Sequence, residues 1–160
     1  MRVRALPTSK RVFRIGDPAG RHPIFSGEGA SSVEGRWHQK GQEVIYTSVH
    51  YSTAMLEKLA HYNGVVPPNQ HFIEIEVPAG SSYEVVTKDS LRGWDEPEGT
   101  TARAHGSAWL HERRTLLLFV PSFVAREEEN VLINPNHGQF ARLQPSLERP
   151  IWWDERLLRR

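Results

Sequence analysis

Cysteine is absent from the 160-residue sequence, which excludes disulfide bonds and thiolate metal sites. Long hydrophobic runs are absent too, because no apolar stretch approaches the ~20 residues of a membrane-spanning helix. The first residues, MRVRALPTSKRVF, lack the continuous apolar core of a signal peptide. We therefore expect a cytoplasmic protein that does not associate with membranes.

A large excess of charge of either sign is also missing. The 20 Lys and Arg residues are matched by 19 Asp and Glu residues, and neither half of the chain is strongly basic. Because proteins that bind nucleic acids through the phosphates need a basic field, we expect no direct nucleic-acid binding. Only four of the basic residues are lysines. Arginine favours planar recognition of phosphate or carboxylate, although an arginine-rich genome produces the same bias.

Short catalytic motifs are equally scarce. The eight histidines include no HExxH pattern and no pair flanked by carboxylates at ligand spacing, so we expect no metal site. There is no GxSxG turn for a serine nucleophile, and GEGASS lacks the lysine and the length of a phosphate-binding loop. The candidate functional residues must therefore be sought outside the common short motifs.

Alternating and β-branched stretches predict more strands than helices. We therefore predict an α+β protein with a mixed β-sheet and a few helices, in one domain covering residues 1–160. The apolar segment 115–122 is the best candidate for the sheet centre, and Thr100 or Thr101 is the expected N-cap of the second helix. The predicted strands are 11–15, 43–48, 71–77, 82–86, 115–122, 131–135 and 139–144, and the predicted helices are about 50–62 and 100–113.

Three segments between or after these elements are predicted to be irregular. Residues 16–43 contain many glycines and polar turns, and a loop longer than ~12–15 residues in a compact domain is often functional. Residues 134–138 are expected to form the turn between the last two strands. The C-terminal PIWWDERLL, residues 150–158, is expected to dock its two tryptophans against the body of the protein.

Arg36, Tyr46 and Ser122 are candidate functional residues, but each has an ordinary structural alternative. Arg36 lies in the long loop, where a surface arginine stacked on Trp37 is as good an explanation as a ligand contact. Strand alternation places Tyr46 on the face opposite Ile45, where a core tyrosine with a satisfied hydroxyl is a simple interpretation. Ser122 ends an apolar strand, where serines commonly cap turns.

Glu57 presents a similar choice on the first predicted helix. At 100° per residue it lies nearly opposite the predicted core stripe, which is typical of a solvated glutamate. For a functional role, the face away from the core must line a cleft that it shares with Arg36, with residues 16–43 as the other wall. The predicted core stripe consists of Tyr51, Met55, Leu59 and Tyr62.

The order and wording of these residues resemble the RES domain family. The resemblance begins at VFRI with Arg14 in a strand, and continues through SGEGASSVEGRWHQKGQEVIYTS and LEKLAH with Glu57. It proceeds through LRGW, TARAHGSAWL and LFVPSFVAREEENVLINPNH with Ser122, and closes at PIWWDERL. It covers residues 11–158, and its one small departure is EGRW where family members often have GGRW.

RES proteins are toxins of bacterial type II toxin–antitoxin pairs, and they resemble ADP-ribosyltransferases in fold. The resemblance implies cleavage of the nicotinamide–ribose bond of NAD⁺ by hydrolysis or phosphorolysis, with NAD⁺ as substrate and inorganic phosphate as a potential co-substrate. It implies no cofactor. It assigns the handling of NAD⁺ to Arg36, Tyr46 and Glu57, with Ser122 and Arg14 as further binding residues. Because phosphorolysis needs an extra anion site, Arg14 or Arg11 is a candidate for it, and the sequence does not choose between them.

The resemblance also implies a cognate Xre-type antitoxin that blocks the active site, and it leaves open a homodimer within the complex. Other readings remain at this point. The protein is alternatively an ADP-ribosyltransferase that modifies a specific protein, a ribonuclease toxin, or an interaction module without activity. The sequence does not decide the acceptor, the stoichiometry of the complex or the role of Ser122.

Overall fold

In the computed structural model, which describes residues 1–159, nine β-strands form one sheet accompanied by two α-helices. Neither helix in this range is long and apolar enough to span a membrane. The helices are α1 (Tyr51–His61) and α2 (Thr100–Glu112). The strands are β1 (Arg4–Ala5), β2 (Lys10–Gly16), β3 (Ile45–Ser48), β4 (His71–Val77), β5 (Ser82–Val85), β6 (Leu117–Pro121), β7 (Glu129–Ile133), β8 (Gln144–Pro145) and β9 (Arg149–Pro150).

The sheet is mixed. Its strand order is β1-β5-β6-β7-β3-β2-β4-β8, with β9 also pairing with β4. In residues 1–159, β5 and β6 form the parallel pair and the other neighbours are antiparallel. The predicted α+β class with a mixed sheet is confirmed, and β2 to β7 correspond to the first six predicted strands.

Side chains along β6 alternate between two hydrophobic clusters, one on each face of the sheet. Leu117 and Phe119 pack in the first cluster, whereas Leu118 and Val120 pack in the second. Every residue of β6 is buried. The apolar segment 115–122 is therefore confirmed as an interior strand, although β6 lies third in the strand order and β7 and β3 occupy the middle.

Helix α2 lies close to the loop that precedes β3. Trp109 of α2 belongs to the second hydrophobic cluster, together with Trp37 of that loop. A Cβ atom added to Gly106 would lie 2.0 Å from the backbone oxygen of Trp37. Only glycine permits this approach between the helix and the loop backbone. The approach is made at Trp37, the residue next to the candidate site residue Arg36.

The start of α2 differs from the prediction of a threonine cap. The N-cap is Gly99, which adopts a left-handed conformation with φ of 69°, and glycine reaches that region without the Cβ penalty of other residues. Thr100 is the first helical residue. The hydroxyl of Thr101 donates to Glu96 Oε2 at 2.9 Å, so it serves the preceding turn and not the helix end.

The segment 139–144 was wrongly predicted as a strand. Residues Phe140–Arg142 form a 3-10 helix, followed by the short strand β8. Phe140 stacks on Phe25 with ring centroids 5.3 Å apart, and this contact anchors the turn. The expected turn at 134–138 is confirmed, since the amide of Asn136 donates to the side chain of Asn134 at 3.0 Å.

The C-terminal tail only partly follows the prediction. β9 pairs with β4, which brings the tail back to the sheet. Trp153 is half-buried, but Trp152 is 78% exposed. The expected docking is therefore correct for Trp153 and wrong for Trp152, because adjacent residues in an extended segment point in opposite directions.

Candidate active site

A cavity of about 570 Å³ opens between α1, strands β2 and β3, and the loop before β3. This volume lies within the ~300–1,000 Å³ range of small-molecule sites. Loop residues between Gly29 and His38 form one wall, so the predicted cleft wall from residues 16–43 is confirmed for this part of the segment. Four of the predicted site residues line it: Arg14, Arg36, Tyr46 and Glu57.

Glu57 of α1 is fixed by two side chains that come from the region of β6 and β7. The hydroxyl of Ser122 and the amide Nδ2 of Asn130 each donate to Glu57 Oε1 at 2.7 Å. Ser122 is fully buried, and Asn130 accepts a hydrogen bond from the hydroxyl of Ser48 on β3 at 2.8 Å. Both donors use Oε1, so neither of them engages Oε2.

The face of α1 that carries Glu57 differs from the prediction. The predicted core stripe was wrong, because its members are half-buried or exposed, whereas Thr53 and Ala54 are the buried residues of the helix. At 100° per residue, Glu57 projects between Thr53 and Ala54. Glu57 therefore points toward the strands and not away from the packed face. The small side chain of Ala54 lines the cavity, and Glu57 lines it together with Arg36 as predicted.

Arg36 is held at the opposite wall by backbone oxygens and an aromatic ring. Its Nη1 donates to the carbonyl oxygens of Glu96 at 2.9 Å and Trp94 at 3.3 Å. Its guanidinium carbon lies 4.1 Å from the centroid of the Phe123 ring. The alternative of a surface arginine stacked on Trp37 is therefore wrong, since Trp37 is buried in the second hydrophobic cluster.

The charge environment of Arg36 couples it to Glu57. Burial, and after it the nearby Arg103, lower the pKa of Arg36. The carboxylates of Asp95 and Glu57 raise the same pKa. Arg36 and Glu57 both line the cavity, so their opposite charges suit a ligand with both negative and positive groups.

Tyr46 on β3 is held by a buried histidine that also fixes the loop. His38 Nε2 lies 2.7 Å from the carbonyl oxygen of Ala30 and 2.9 Å from that of Val33, so Nε2 must carry the proton in the neutral ring. His38 Nδ1 then accepts from the Tyr46 hydroxyl at 2.7 Å. The backbone amide of Trp37 donates to the same hydroxyl at 3.2 Å.

These bonds satisfy the Tyr46 hydroxyl, as the core-tyrosine interpretation expected, while the residue also lines the cavity. Burial raises the pKa of the phenol well above its ordinary value, with the Trp37 amide acting in the opposite direction. The phenol is therefore neutral at physiological pH. Tyr46 and Ile45 pack on opposite faces of the sheet, which confirms the predicted alternation.

Gly35 is required by this arrangement. A Cβ atom at Gly35 would lie 2.6 Å from His38 Cε1 and 2.7 Å from the Tyr46 hydroxyl oxygen. The Gly35 carbonyl oxygen accepts from Arg103 Nε at 2.9 Å, which ties the loop to α2. The glycine before Arg36 in the GRW motif therefore gives the loop the space to cover the His38–Tyr46 pair.

Arg14 and Arg11 occupy different environments on β2. Arg14 lines the cavity, and its Nε and Nη1 donate to the carbonyl oxygens of Ile24 at 2.6 Å and Tyr46 at 2.9 Å. Arg11 is exposed and lies 4.0 Å from Glu74. Of the two candidates for an anion site, only Arg14 faces the cavity.

Asn130, His38 and Lys58 are cavity residues that the sequence reasoning missed. Asn130 sits in β7, and asparagine is depleted from strands, so its presence there was a weak signal of a special role. His38 follows directly on the GRW motif, but it does not stand at a recognisable motif spacing from another functional residue. Lys58 is adjacent to Glu57 and resembles any solvated helix lysine in the sequence.

The cavity brings a fixed carboxylate, two arginines and an aromatic ring around one space. Such a set suits a ligand that carries an anionic part and a part that develops positive charge. In residues 1–159, no group of three or more His, Cys, Asp or Glu side chains is placed to hold a metal ion.

Comparison with known proteins identifies close relatives over most of the chain. It is 39% identical over 160 residues to the Prs ADP-ribosylating toxin of Sphingobium sp. (strain YBL2), covering 97% of this chain and 95% of that protein. It is 36% identical over 123 residues to Toxin Res of Pseudomonas putida, covering 72% and 80%. It is 32% identical over 118 residues to Toxin Res of Yersinia enterocolitica, covering 72% and 78%.

The fold also has a solved counterpart. The crystal structure of the M. tuberculosis MbcT-MbcA toxin-antitoxin complex contains a chain that matches with a TM-score of 0.73 over 92% of this chain and 86% of that one, at 16% identity. The RES domain family model matches residues 11–154, which run from the second residue of β2 through β9 and include every cavity residue named above. The chain therefore belongs to the RES domain family.

Proposed function

We propose that the chain is a cytoplasmic bacterial toxin that cleaves the nicotinamide–ribose bond of NAD⁺. The observation that carries the proposal is the carboxylate of Glu57, held through Oε1 by Ser122 and Asn130 in a cavity that Arg36 and Tyr46 also line. The family relatives named as toxins support the same assignment.

Glu57 is the proposed source of catalysis. Nicotinamide is a cationic leaving group in NAD⁺, so its departure needs no general acid, and it leaves an oxocarbenium-like ribose. A carboxylate that is already fixed can stabilise this developing charge without reorganisation. Because Ser122 and Asn130 hold Oε1, Oε2 is the oxygen we assign to the ribose.

Arg36 and Tyr46 are the proposed binding residues. The Nη1 of Arg36 is used by two carbonyl oxygens, and the rest of its planar donor fork suits the diphosphate of the dinucleotide. The Tyr46 ring offers a π surface to the cationic nicotinamide. Its neutral phenol, fixed by His38, keeps that ring in one orientation.

A second candidate function is transfer of ADP-ribose to a protein. It is favoured by the relative from Sphingobium, which is named as a toxin that ADP-ribosylates Prs and shares 39% identity with this chain. Both candidates require the same cleavage step at Glu57 and differ in the acceptor that attacks the ribose: water, inorganic phosphate or a protein side chain.

We further propose that a cognate Xre-type antitoxin controls the toxin by covering the cavity. The related fold in the MbcT-MbcA toxin-antitoxin complex supports the existence of such a partner. The long loop between Gly29 and His38 forms the rim that a partner would cover.

Incubation of the purified protein with NAD⁺, followed by mass spectrometry, tests the function. We expect release of nicotinamide together with ADP-ribose in buffer, or ADP-ribose phosphate when phosphate is present. A protein acceptor would instead gain the mass of ADP-ribose, with Prs as the first protein to include in the incubation. Intact NAD⁺ alongside degraded RNA would replace this proposal with the ribonuclease reading.

A further inference from the structure

One short loop contacts both charged groups of the proposed chemistry. Residues 122–128 connect β6 to β7, and we call them the β6–β7 loop. The first residue of this loop, Ser122, donates to Glu57 Oε1 at 2.7 Å. The next residue, Phe123, places its ring centroid 4.1 Å from the guanidinium carbon of Arg36. Two adjacent residues therefore contact the carboxylate on one side and the cation on the other.

The β6–β7 loop is held in one conformation by its own hydrogen bonds. The amide of Ser122 donates to the carbonyl oxygen of Glu128 at 2.9 Å, and the amide of Glu128 donates to that of Ala125 at 2.8 Å. The amide of Ala125 donates to the Ser122 hydroxyl at 3.0 Å. His50 Nδ1 lies 2.6 Å from Glu128 Oε2, which ties the loop to the residue before α1. The positions of Ser122 and Phe123 are therefore set together.

The ring of Phe123 is also fixed by its neighbours. The buried Trp94 meets it edge to face, with ring centroids 6.3 Å apart. The guanidinium carbon of Arg126 lies 5.0 Å from the ring centroid, and Arg126 pairs with Asp95 at 2.8 Å. Phe123 is 37% exposed and belongs to neither hydrophobic cluster. Core packing therefore does not explain this phenylalanine, and the shorter of its two contacts with a cation is the one to Arg36.

An aromatic ring is physically suited to orient an arginine that must bind an anion. The ring attracts the guanidinium group through its π electrons and takes up none of its N–H donors. A carboxylate in the same place would bind those donors and neutralise the charge. Nη1 of Arg36 donates to the carbonyl oxygens of Trp94 and Glu96, so the contact with Phe123 adds a third restraint without using a further donor.

We propose that Phe123 is a positioning residue that orients Arg36 toward the anionic part of the ligand, while its neighbour Ser122 orients Glu57. Phe123 lies outside the cavity, so its effect on a ligand passes through Arg36. The inference deepens the proposed function and rests on it for the choice of NAD⁺ as the ligand. The coupling between Phe123 and Arg36 does not depend on that choice.

Initial rates of nicotinamide release from NAD⁺ test the proposal in four proteins: wild type, Phe123→Leu, Phe123→Tyr and Val124→Ala. Leucine keeps an apolar side chain without a π face, so Phe123→Leu should raise KM about three- to thirtyfold with a smaller change in kcat. Phe123→Tyr retains the ring and should stay near wild type. Val124 is the next, equally exposed residue of the loop, so Val124→Ala is the matched control and should leave KM unchanged. An unchanged KM in Phe123→Leu, or an equal rise in either of the other variants, overturns the proposal.

Equilibrium binding separates orientation of Arg36 from an effect on the chemical step. In a Glu57→Gln background, where cleavage is slow, titration calorimetry with NAD⁺ reports the Kd directly. Phe123→Leu should raise this Kd by a factor similar to the rise in KM, because Arg36 acts in binding. A Kd that Phe123→Leu leaves unchanged would overturn the assigned role.

Urea unfolding tests the coupling without any ligand. Wild type, Phe123→Leu, Arg36→Gln and the double variant form a double-mutant cycle. Phe123→Leu should lower the free energy of unfolding more when Arg36 is present than when it is replaced, since the contact exists only in the first case. Equal losses in both backgrounds would contradict the coupling on which the proposal rests.

Failure of the proposed function has a different signature. A wild-type protein that leaves NAD⁺ intact, together with a non-additive unfolding cycle, would remove the NAD⁺ assignment and retain the orientation of Arg36 by Phe123. NAD⁺ cleavage with an additive cycle and an unchanged KM in Phe123→Leu would do the reverse.

Discussion

Replacing Glu57 by glutamine removes the charge of the proposed catalytic group and keeps its shape. A glutamine carbonyl oxygen can still accept from Ser122 and Asn130, which both bind Glu57 Oε1 in the native protein. The side chain should therefore stay in place. Any loss of activity then reports the charge and not the position of the group.

The expected loss follows from the electrostatics. A carboxylate about 4 Å from a developing unit charge is worth about 4 kcal/mol at an effective dielectric of about 20. This corresponds to about a thousandfold in rate. We expect Glu57→Gln to lower kcat for nicotinamide release by about that factor, with little change in Tm.

The assay is the initial rate of nicotinamide release from NAD⁺, separated by chromatography, with Tm measured in parallel. Glu76→Gln is the matched control, because Glu76 is exposed on β4 outside the cavity and should retain wild-type activity. A Glu57→Gln protein within tenfold of wild type would falsify the electrostatic role of this carboxylate.

Ser122 extends the same test. Its hydroxyl supplies one of the two bonds to Glu57 Oε1, and a hydrogen bond to a charged group is worth about 1.5–3 kcal/mol. Ser122→Ala alone should lower activity about ten- to a hundredfold. In the Glu57→Gln background it should add little, since a residue that acts through Glu57 has nothing left to orient. An equal loss in both backgrounds would show that Ser122 acts independently of the carboxylate.

Three further predictions concern the packing and titration of the site. Gly106→Ala, a change that normally stabilises a helix, should lower stability and activity because the added Cβ would clash with the backbone of the neighbouring loop. Gly138→Ala, with open space around it, should lower neither. Urea unfolding of both variants measures their stability. His38→Leu should lower the free energy of unfolding by about 1–3 kcal/mol and raise KM for NAD⁺, because the Tyr46 hydroxyl and two carbonyl oxygens lose their partner. Unchanged stability would contradict the stabilising role of these hydrogen bonds. Lys58 has a folded pKa of about 8 against 10.5 unfolded. Between these values the unfolded chain binds more protons at this residue, so its contribution makes stability rise with pH, by about 3 kcal/mol in all. Lys58→Met should remove this contribution from the pH dependence of the free energy of unfolding.

The strands and helices were largely predictable because their signals are local. Alternation in 71–77, β-branched residues in 43–48 and the apolar run in 115–122 are each consistent with one element, and β4, β3 and β6 follow them. The segment 139–144 failed because Phe140 finds a stacking partner in Phe25, a contact that lies far away in sequence. The predicted threonine N-cap of α2 was wrong for a related reason. Gly99 adopts a left-handed conformation at the start of the helix, which no sequence pattern predicts.

The sequence predicted which residues line the cavity better than it predicted how they are oriented. Arg36, Tyr46 and Glu57 were named from motif order, and all three line one cavity. Helix periodicity placed Glu57 on the wrong face, because periodicity assumes that the largest apolar side chains mark the buried side. In α1 the small residues Thr53 and Ala54 are the buried ones.

By itself, the sequence determined the α+β class, the order of the elements, the membership in the RES domain family and the identity of the main cavity residues. The tertiary structure alone decided how they work together: that Ser122 and Asn130 hold one oxygen of Glu57, that His38 fixes Tyr46, and that Arg14 and Lys58 line the same cavity. The physical reason is distance along the chain. These contacts join residues from separate strands, loops and helices, and their hydrogen bonds and charges are set by the folded backbone.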